Sequence, residues 1–253
     1  LTEAKMPGAA ARASARSSAR AATTATTIST CPSFSSSRRL DEADVARRLA
    51  QLRDVLAAGA TRGPIAICAV TKGFGPDTVR IAARLGCDAV GENYAQEAIA
   101  KLAAVEGVRP PVHFIGRLQS NKVKSLVGVV DVWQSVDRAA LVDEIAKRAP
   151  AASIYVQVNA TGEPDKGGCD TAEVTQLVRR ATDMGLAVLG LMTVGPTDLD
   201  PTRTREAFST VRRLADDLGL PGCSMGMSDD LPIALEEGST MVRVGTALFG
   251  PRK

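Results

Sequence analysis

The sequence predicts an eight-stranded parallel (β/α)8 barrel, and three observations support this fold class. Eight short apolar runs have the character of buried strands, and amphipathic helical patterns separate most of them. The chain has 253 residues, and such barrels typically need about 250. Alternating strands and helices indicate parallel βαβ units. Eight strands after one leading helix, without a GxGxxG after the first strand, favour a closed barrel over an open doubly wound sheet.

The ordered part is expected to begin with a helix near Asp41. Apolar residues recur at helical spacing from Val45 to Leu56, with Asp41 or Asp44 as the N-cap and Gly59 as the stop. The predicted strands cover 65–71, 87–92, 112–116, 129–135, 153–159, 187–193, 222–227 and 240–245. The clearest helical patterns between them cover 77–86, 137–149, 171–185 and 204–219. We therefore expect one barrel domain over 41–253.

Residues 1–40 differ in composition from the rest of the chain. They are rich in Ala, Ser, Thr and Arg without any periodicity, and such a segment buries too little apolar surface to offset its ordering entropy. We expect a disordered tail over 1–40. Its Arg- and Ser-rich, acid-poor composition is typical of an organellar transit peptide. A misassigned translation start, suggested by Leu1 in place of Met, is the other interpretation.

Charge and composition exclude several classes of function. Six of the 31 basic and one of the 28 acidic residues lie in 1–40, so the tail carries +5 and the remainder −2. A barrel without net positive charge, with 3% aromatic residues, does not predict nucleic-acid binding. No apolar run approaches the roughly 18 residues of a membrane span, so we expect a soluble protein. A single histidine and five cysteines without a CxxC pair predict no metal site.

In a barrel of this kind, functional residues lie at the carboxyl ends of the strands. Lys72 directly follows the first predicted strand, and Gly73 and Gly75 would let a ligand approach the backbone. Lys72 is therefore a candidate Schiff-base lysine, although a surface lysine that opens a loop would look the same. Asn93 and His113 stand at the ends of strands two and three, and a lone strand histidine is more often a satisfied core residue.

The last two strands suggest a phosphate site. Ser228, Gly245 and Thr246 offer a hydroxyl and backbone N–H groups where barrels of this kind commonly bind phosphate, although Ser228 and the aspartates after it are equally suited to a helix N-cap. Arg243 lies inside an apolar strand, which is costly unless a partner or ligand pairs with it. A lysine, phosphate donors and an interior arginine together suit pyridoxal 5′-phosphate. A sugar phosphate in a Schiff-base aldolase would use two of the three.

Seven segments in order make the sequence similar to a known family. The segments are AVTKGFGP, GENYAQEA, HFIGRLQSNKVK, QVNATGEPDKGGC, LMTVGP, SMGMSDD and EEGSTMVRVGTALFG. Together they resemble the pyridoxal phosphate homeostasis proteins, also called proline synthetase co-transcribed proteins, from about residue 41 to residue 250. The resemblance implies a barrel of the alanine racemase N-terminal-domain type that binds pyridoxal phosphate and serves vitamin B6 and amino-acid homeostasis, with no established reaction.

The resemblance also implies a role for each matching residue. Lys72 would form the Schiff base and Arg243 would face the pyridine nitrogen. Ser228, Gly245 and Thr246 would hold the phosphate. Asn93 and His113 would line the pocket, with Met225 close by.

Arginine does not give up its proton, so the pyridine nitrogen beside Arg243 would stay unprotonated and the ring would be a poorer electron sink. The resemblance to racemases also implies that their second domain supplies a catalytic tyrosine, and we expect no counterpart of that domain after strand eight. We therefore expect a carrier that holds the cofactor as a lysine aldimine without catalysis of its own. The alternatives are a low-activity amino-acid racemase or lyase, and a sugar-phosphate enzyme. We further expect a monomer that donates cofactor to apo-enzymes, located in the cytoplasm or, if 1–40 is a transit peptide, in an organelle.

Overall fold

The computed structural model describes residues 40–251 and confirms the predicted barrel. Eight strands close in sequence order, and each pairs in parallel with its neighbours. The strands are β1 (Ala66–Val70), β2 (Ala89–Glu92), β3 (Val112–Phe114), β4 (Val132–Val136), β5 (Ser153–Gln157), β6 (Ala187–Met192), β7 (Gly222–Ser224) and β8 (Met241–Val244). The tail predicted for 1–40 lies outside the described residues, except for Leu40.

Helices follow the strands around the barrel, after one leading helix. They are α1 (Glu42–Gly59), α2 (Asp77–Arg84), α3 (Ala95–Ala103), α4 (Ser120–Leu126), α5 (Ala139–Arg148), α6 (Val174–Asp183), α7 (Pro201–Asp217), α8 (Leu231–Glu236) and α9 (Thr246–Phe249), with a 3-10 turn at Thr171–Glu173. Asp41 caps α1 by accepting a hydrogen bond from the Ala43 N–H at 3.0 Å. None of the described helices is long and apolar enough to cross a membrane.

Most predicted boundaries are correct to within three residues, and the deviations have local causes. The strand predicted over 222–227 ends at Ser224, and Gly226 turns out of the sheet with a φ of +98°. The helix predicted from 204 begins earlier, at Pro201. Asp200 accepts from the Arg203 N–H at 2.8 Å, and a proline in the first turn is compatible with a helix start.

The strands separate two apolar regions. A large outer core joins α1 and the other helices to strand residues such as Ile67 and Val242. Two smaller clusters, around Cys68 and around Tyr155, consist almost entirely of strand residues and fill the barrel interior. Because successive side chains along a strand point to opposite faces, the position two residues beyond Val70 lies on the interior face. That position is Lys72.

Candidate functional site

Lys72 lies at the mouth of the barrel, directly beyond the end of β1. Val70 pairs with Gly91, so continuing this register sets Lys72 beside Asn93 at the end of β2. The Lys72 side chain is half-buried. Gly73 has a φ of +75°, a conformation that glycine adopts readily, and it turns the chain away from the sheet. Two of the predicted site residues, Lys72 and Asn93, are thus neighbours in this register.

Asn93 carries an unsatisfied polar atom. Its Oδ1 is buried and accepts no hydrogen bond from the part of the chain that the structure describes. A cavity of about 150 Å3 adjoins Asn93 and is also lined by Tyr94, Arg117 and Lys122. A buried acceptor without a partner is uncommon in native proteins and calls for an explanation, and a ligand that donates a hydrogen bond to Asn93 would supply one.

A buried ionic network on the outer side of β1 and β2 holds the segment that carries Lys72. The side chain of Lys101 in α3 is fully buried. Its Nζ donates to the Thr71 carbonyl at 2.6 Å, to Glu92 Oε1 at 2.5 Å and to Glu97 Oε1 at 2.9 Å. The Gly73 N–H donates to Glu97 Oε1 at 2.5 Å. The backbone is therefore held on both sides of Lys72.

Within this network, Glu92 is a buried carboxylate whose charged form is disfavoured by burial. Burial raises the pKa of Glu92, and the nearby Lys101 ammonium and Thr71 hydroxyl offset part of that effect. Its Oε1 accepts from both Lys101 and Thr71, whereas its Oε2 is buried without a partner within residues 40–251. Sequence reasoning missed this network. The only available signal was Glu97 and Lys101 at helical i,i+4 spacing, which more often marks an exposed pair.

A second hydrogen-bond network crosses the barrel interior from β3 to β8. Gln134 in β4 lies 2.6 Å from His113 Nδ1 through its Nε2, and its Oε1 accepts from Ser224 Oγ at 2.8 Å. Ser224 Oγ in turn accepts from Arg243 Nη1 at 2.8 Å. Four strands distant in sequence thus supply one chain of hydrogen bonds. Gln134 and Ser224 were not predicted as functional residues.

The Arg243 side chain is buried among neutral acceptors. Besides Ser224 Oγ, it donates to the Ser224 carbonyl at 2.7 Å and to the Thr193 carbonyl at 2.7 Å. Burial lowers the pKa of Arg243 from its ordinary value. The sequence-based expectation that this arginine needs interior partners is confirmed. A guanidinium has five N–H donors, so these three bonds leave donor capacity for a ligand.

The direction of these hydrogen bonds determines the tautomer of His113. Arg243 can only donate, so Ser224 Oγ accepts from it and gives its own proton to Gln134 Oε1. The Gln134 amide nitrogen must then donate to His113 Nδ1, which leaves the proton of the neutral ring on Nε2. Burial lowers the pKa of His113 to about 4. His113 is therefore a neutral hydrogen-bond donor at physiological pH.

The predicted phosphate residues follow β7 and β8 at the same end of the barrel. Ser228 and Thr246 are exposed, and Gly245 is buried next to β1. A Cβ on Gly245 would lie 3.1 Å from the Val70 carbonyl oxygen, so the close approach of these strand ends favours glycine. Thr246 begins α9. The first N–H groups of a helix have no partner within the helix, so backbone donors are available here.

Two residues near this loop behave differently from their expected roles. The Met225 side chain packs in the outer core, and its carbonyl accepts from Ser239 Oγ at 2.7 Å. A part for Met225 in ligand binding could therefore rest only on its backbone. Asp230 stands at the N-cap position of α8 without capping it. Its Oδ1 instead accepts from the Met227 N–H at 2.5 Å, which closes the loop that carries Ser228.

Comparison with known proteins shows which sequences and structures this chain is similar to. The profile of the family described as alanine racemase, N-terminal domain, matches residues 40–253. A pyridoxal phosphate homeostasis protein of Aquifex aeolicus is 41% identical over 189 residues, which cover 70% of this chain and 83% of the relative. The protein of the same name from Pseudomonas aeruginosa is 36% identical, with 83% of this chain and 94% of the relative covered.

Solved structures show the same fold. PipY, the COG0325 family member of Synechococcus elongatus, has been solved with PLP bound, and it is 34% identical with a TM-score of 0.73. The match covers 81% of this chain and 100% of PipY. Alanine racemase of Corynebacterium glutamicum is 18% identical with a TM-score of 0.68, over 84% of this chain and 62% of the racemase. At that identity the likeness concerns the fold alone.

Proposed function

We propose, for a chain that belongs to the pyridoxal phosphate homeostasis protein family and to the wider alanine racemase N-terminal domain family, that its barrel binds pyridoxal 5′-phosphate and serves intracellular vitamin B6 and amino-acid homeostasis. One observation carries this proposal: Lys72 stands on the interior side of the strand ends, beside Asn93 and at the same end as the loops after β7 and β8. That is the arrangement an aldehyde-bearing phosphate ligand requires.

The residues at the barrel mouth fit this cofactor. Lys72 would form a Schiff base through its Nζ. Ser228, Gly245 and Thr246 would hold the phosphate, and the spare N–H donors of Arg243 would face the pyridine nitrogen. Asn93 Oδ1, which has no hydrogen-bond partner within residues 40–251, would accept a hydrogen bond from the cofactor. Gly245 lets the end of β8 lie close to β1, because a Cβ there would lie 3.1 Å from the Val70 carbonyl oxygen.

The permanent protonation of Arg243 favours a cofactor carrier over an enzyme. When bound, pyridoxal phosphate supplies an aldehyde that condenses reversibly with amines. An arginine retains its proton at any physiological pH, so Arg243 cannot pass a proton to a ring nitrogen. Without that proton, the ring withdraws electrons less strongly and stabilises a carbanion poorly. We infer that this chain holds the cofactor and releases it to amines or apo-enzymes, without a reaction of its own.

Borohydride reduction followed by mass mapping tests the lysine assignment. The protein, incubated with pyridoxal phosphate, should absorb in the visible range, and reduction should fix a pyridoxyl group on Lys72. Lys72→Ala should abolish the fixed group. Lys122→Ala, which removes another lysine at the mouth, is the matched control and should leave the labelling unchanged. Covalent retention by Lys72→Ala, or a colourless wild-type protein, would contradict the proposal and revive a sugar-phosphate ligand.

Catalysis is tested separately by deuterium exchange. A carrier should not exchange the α-hydrogen of an amino acid in D2O, whereas a weak racemase or lyase would. Exchange that disappears with Lys72→Ala would favour the enzyme. The monomeric state, the cytoplasmic location and donation to apo-enzymes are further predictions, and transfer to a stoichiometric apo-enzyme, followed by its activity, would test the last of them.

A further inference from the structure

The buried network around Lys101 lies next to Lys72 without belonging to the cofactor pocket. Thr71 and Gly73, the two chain neighbours of Lys72, are both bound by side chains of α3. The Thr71 carbonyl also accepts from the Phe74 N–H at 3.1 Å. Three backbone groups of this segment, the Thr71 carbonyl and the N–H groups of Gly73 and Phe74, are thus held by hydrogen bonds.

Phe74 extends this arrangement towards the predicted phosphate loop. Its ring packs against the ring of Phe249 in α9, with centroids 5.5 Å apart, and both residues are buried. The helix α9 begins at Thr246. The segment that carries Lys72 is therefore tied to α3 on one side and to the helix after β8 on the other, which are the two sides of the proposed cofactor site.

A lysine buried between two carboxylates is not required for stability alone, because burying its charge costs free energy. Taking charges out of water carries a large free-energy cost for each ion, and apolar residues of similar volume often stabilise a fold equally well. The donors of Lys101 are spent on Thr71, Glu92 and Glu97, and one of these acceptors is backbone. Unlike an apolar contact, a charged hydrogen-bond network sets the orientation of the groups that it joins, because each bond requires a particular geometry.

We propose that Lys101 and Glu97 are positioning residues for Lys72, which hold its backbone so that the amine meets the cofactor aldehyde in a reactive geometry. The inference rests on the proposed function of Lys72. Neither residue is assigned contact with the cofactor. A displacement of the reacting amine by about 1 Å can slow such a reaction by as much as about a hundredfold, so loss of one of the two backbone anchors should be measurable.

Three variants separate positioning from general stability. Glu97→Ala removes the acceptor of the Gly73 N–H but leaves Lys101 paired with Glu92, so the protein should still fold. Glu97→Gln keeps an acceptor oxygen at that place and should rescue the effect. Glu144→Ala is the matched control. Glu144 forms the same i,i+4 pair in α5, with Arg148, and its side chain is 23% exposed against 19% for Glu97.

Two measurements are made on each full-length variant. Hydrogen–deuterium exchange reports on the amides of Gly73 and Phe74, and stopped-flow absorbance follows the reaction with pyridoxal phosphate, with borohydride mapping to assign it to Lys72. Glu97→Ala should raise exchange at Gly73 and slow Schiff-base formation about tenfold. Glu97→Gln should stay within about threefold of the wild type, and Glu144→Ala should match the wild type in both measurements.

The outcomes distinguish this inference from the proposed function. If wild-type Lys72 is labelled and Glu97→Ala reacts at the wild-type rate, the positioning role is overturned while the cofactor assignment stands. An equal slowing in Glu144→Ala would also overturn it, because the effect would then reflect stability. If wild-type Lys72 is not labelled at all, the proposed function fails, and the positioning role with it.

Discussion

The two sides of the barrel mouth are held by different kinds of interaction. Where β1 and β2 end, the fully buried ammonium of Lys101 and the carboxylate of Glu97 bind the backbone around Lys72, and Glu92 pairs with Lys101. Where β7 and β8 end, the acceptors that Arg243 binds among the described residues are neutral, and Ser228 and Thr246 are exposed. On the first side, the Lys101 ammonium is fully used by the Thr71 carbonyl and by Glu92 and Glu97, whereas the second side keeps donors available. An amine that must meet a particular atom needs a rigid support, and a phosphate needs donors that face the solvent side of the pocket.

The largest difference between the two sides should appear when Lys101 is removed. Lys101→Met leaves two carboxylates buried without their cation, and breaking a buried pair in this way costs about 3–5 kcal/mol. Urea denaturation would measure the free energy of unfolding. Arg180→Met, which breaks the exposed pair with Asp143, is the control and should cost under about 1 kcal/mol. Equal losses in both variants would show that the buried network stabilises the fold no more than an exposed ion pair does.

His113 should make stability depend on pH. Burial holds its pKa near 4 in the folded protein, below the usual 6.5, so the unfolded chain binds more protons between these values. The contribution of His113 to the free energy of unfolding is fully present above about pH 6.5. It falls by about 3 kcal/mol as the pH drops to 4.

His113→Asn keeps an acceptor towards Gln134 and cannot titrate. Its unfolding free energy should therefore fall less than that of the wild type between pH 6.5 and 4. Parallel curves for the two proteins would refute a neutral, buried His113.

A substitution at Gly226 tests how much the loop after β7 depends on the positive φ of this glycine. Alanine there must adopt a φ near +98°, and its Cβ would lie 2.5 Å from that of Ala234. We expect Gly226→Ala to cost about 2 kcal/mol, within the range for residues held in such conformations. Gly75→Ala, where an added Cβ meets no atom within 4 Å, should change stability by less than about 0.5 kcal/mol. Thermal unfolding of the pair measures the contrast, and a silent Gly226→Ala would contradict it.

Arg243→Met should cost less than Lys101→Met, although both side chains are buried. The variant leaves the Ser224 and Thr193 carbonyls without this donor, but it leaves no charge uncompensated and removes a buried one. We expect a loss of about 1–2 kcal/mol in urea denaturation, together with weaker retention of pyridoxal phosphate. A loss as large as that of Lys101→Met would remove the distinction between the two sides.

The smallest effect on stability is expected at Ser228. Its side chain is exposed, so Ser228→Ala should change the free energy of unfolding by less than about 0.5 kcal/mol. Its proposed hydrogen bond to the phosphate is charge-assisted, so its loss should weaken pyridoxal phosphate binding roughly tenfold. Titration followed by absorbance would measure the change. Unchanged affinity would exclude Ser228 from the phosphate site.

Sequence reasoning identified residues whose position follows from the strand pattern. Lys72 was predicted at the mouth because it directly follows an apolar strand, and Arg243 was predicted to need interior partners because it interrupts one. Both expectations depend only on neighbouring residues. The same reasoning could not find Gln134 or Lys101. Their roles arise from contacts with residues 90 positions away in one case and 30 in the other.

The sequence by itself determined the fold class, the order of the strands and the end of the barrel where function is expected. These follow from apolar periodicity and from the rule that carboxyl ends of parallel strands meet at one edge, and neither requires knowledge of a particular contact. Only the tertiary structure decided that Lys101 is buried beside Thr71, that Met225 faces the outer core and that His113 is a neutral donor. Burial, pKa and hydrogen-bond direction depend on which distant side chains meet, and barrel closure brings those side chains together.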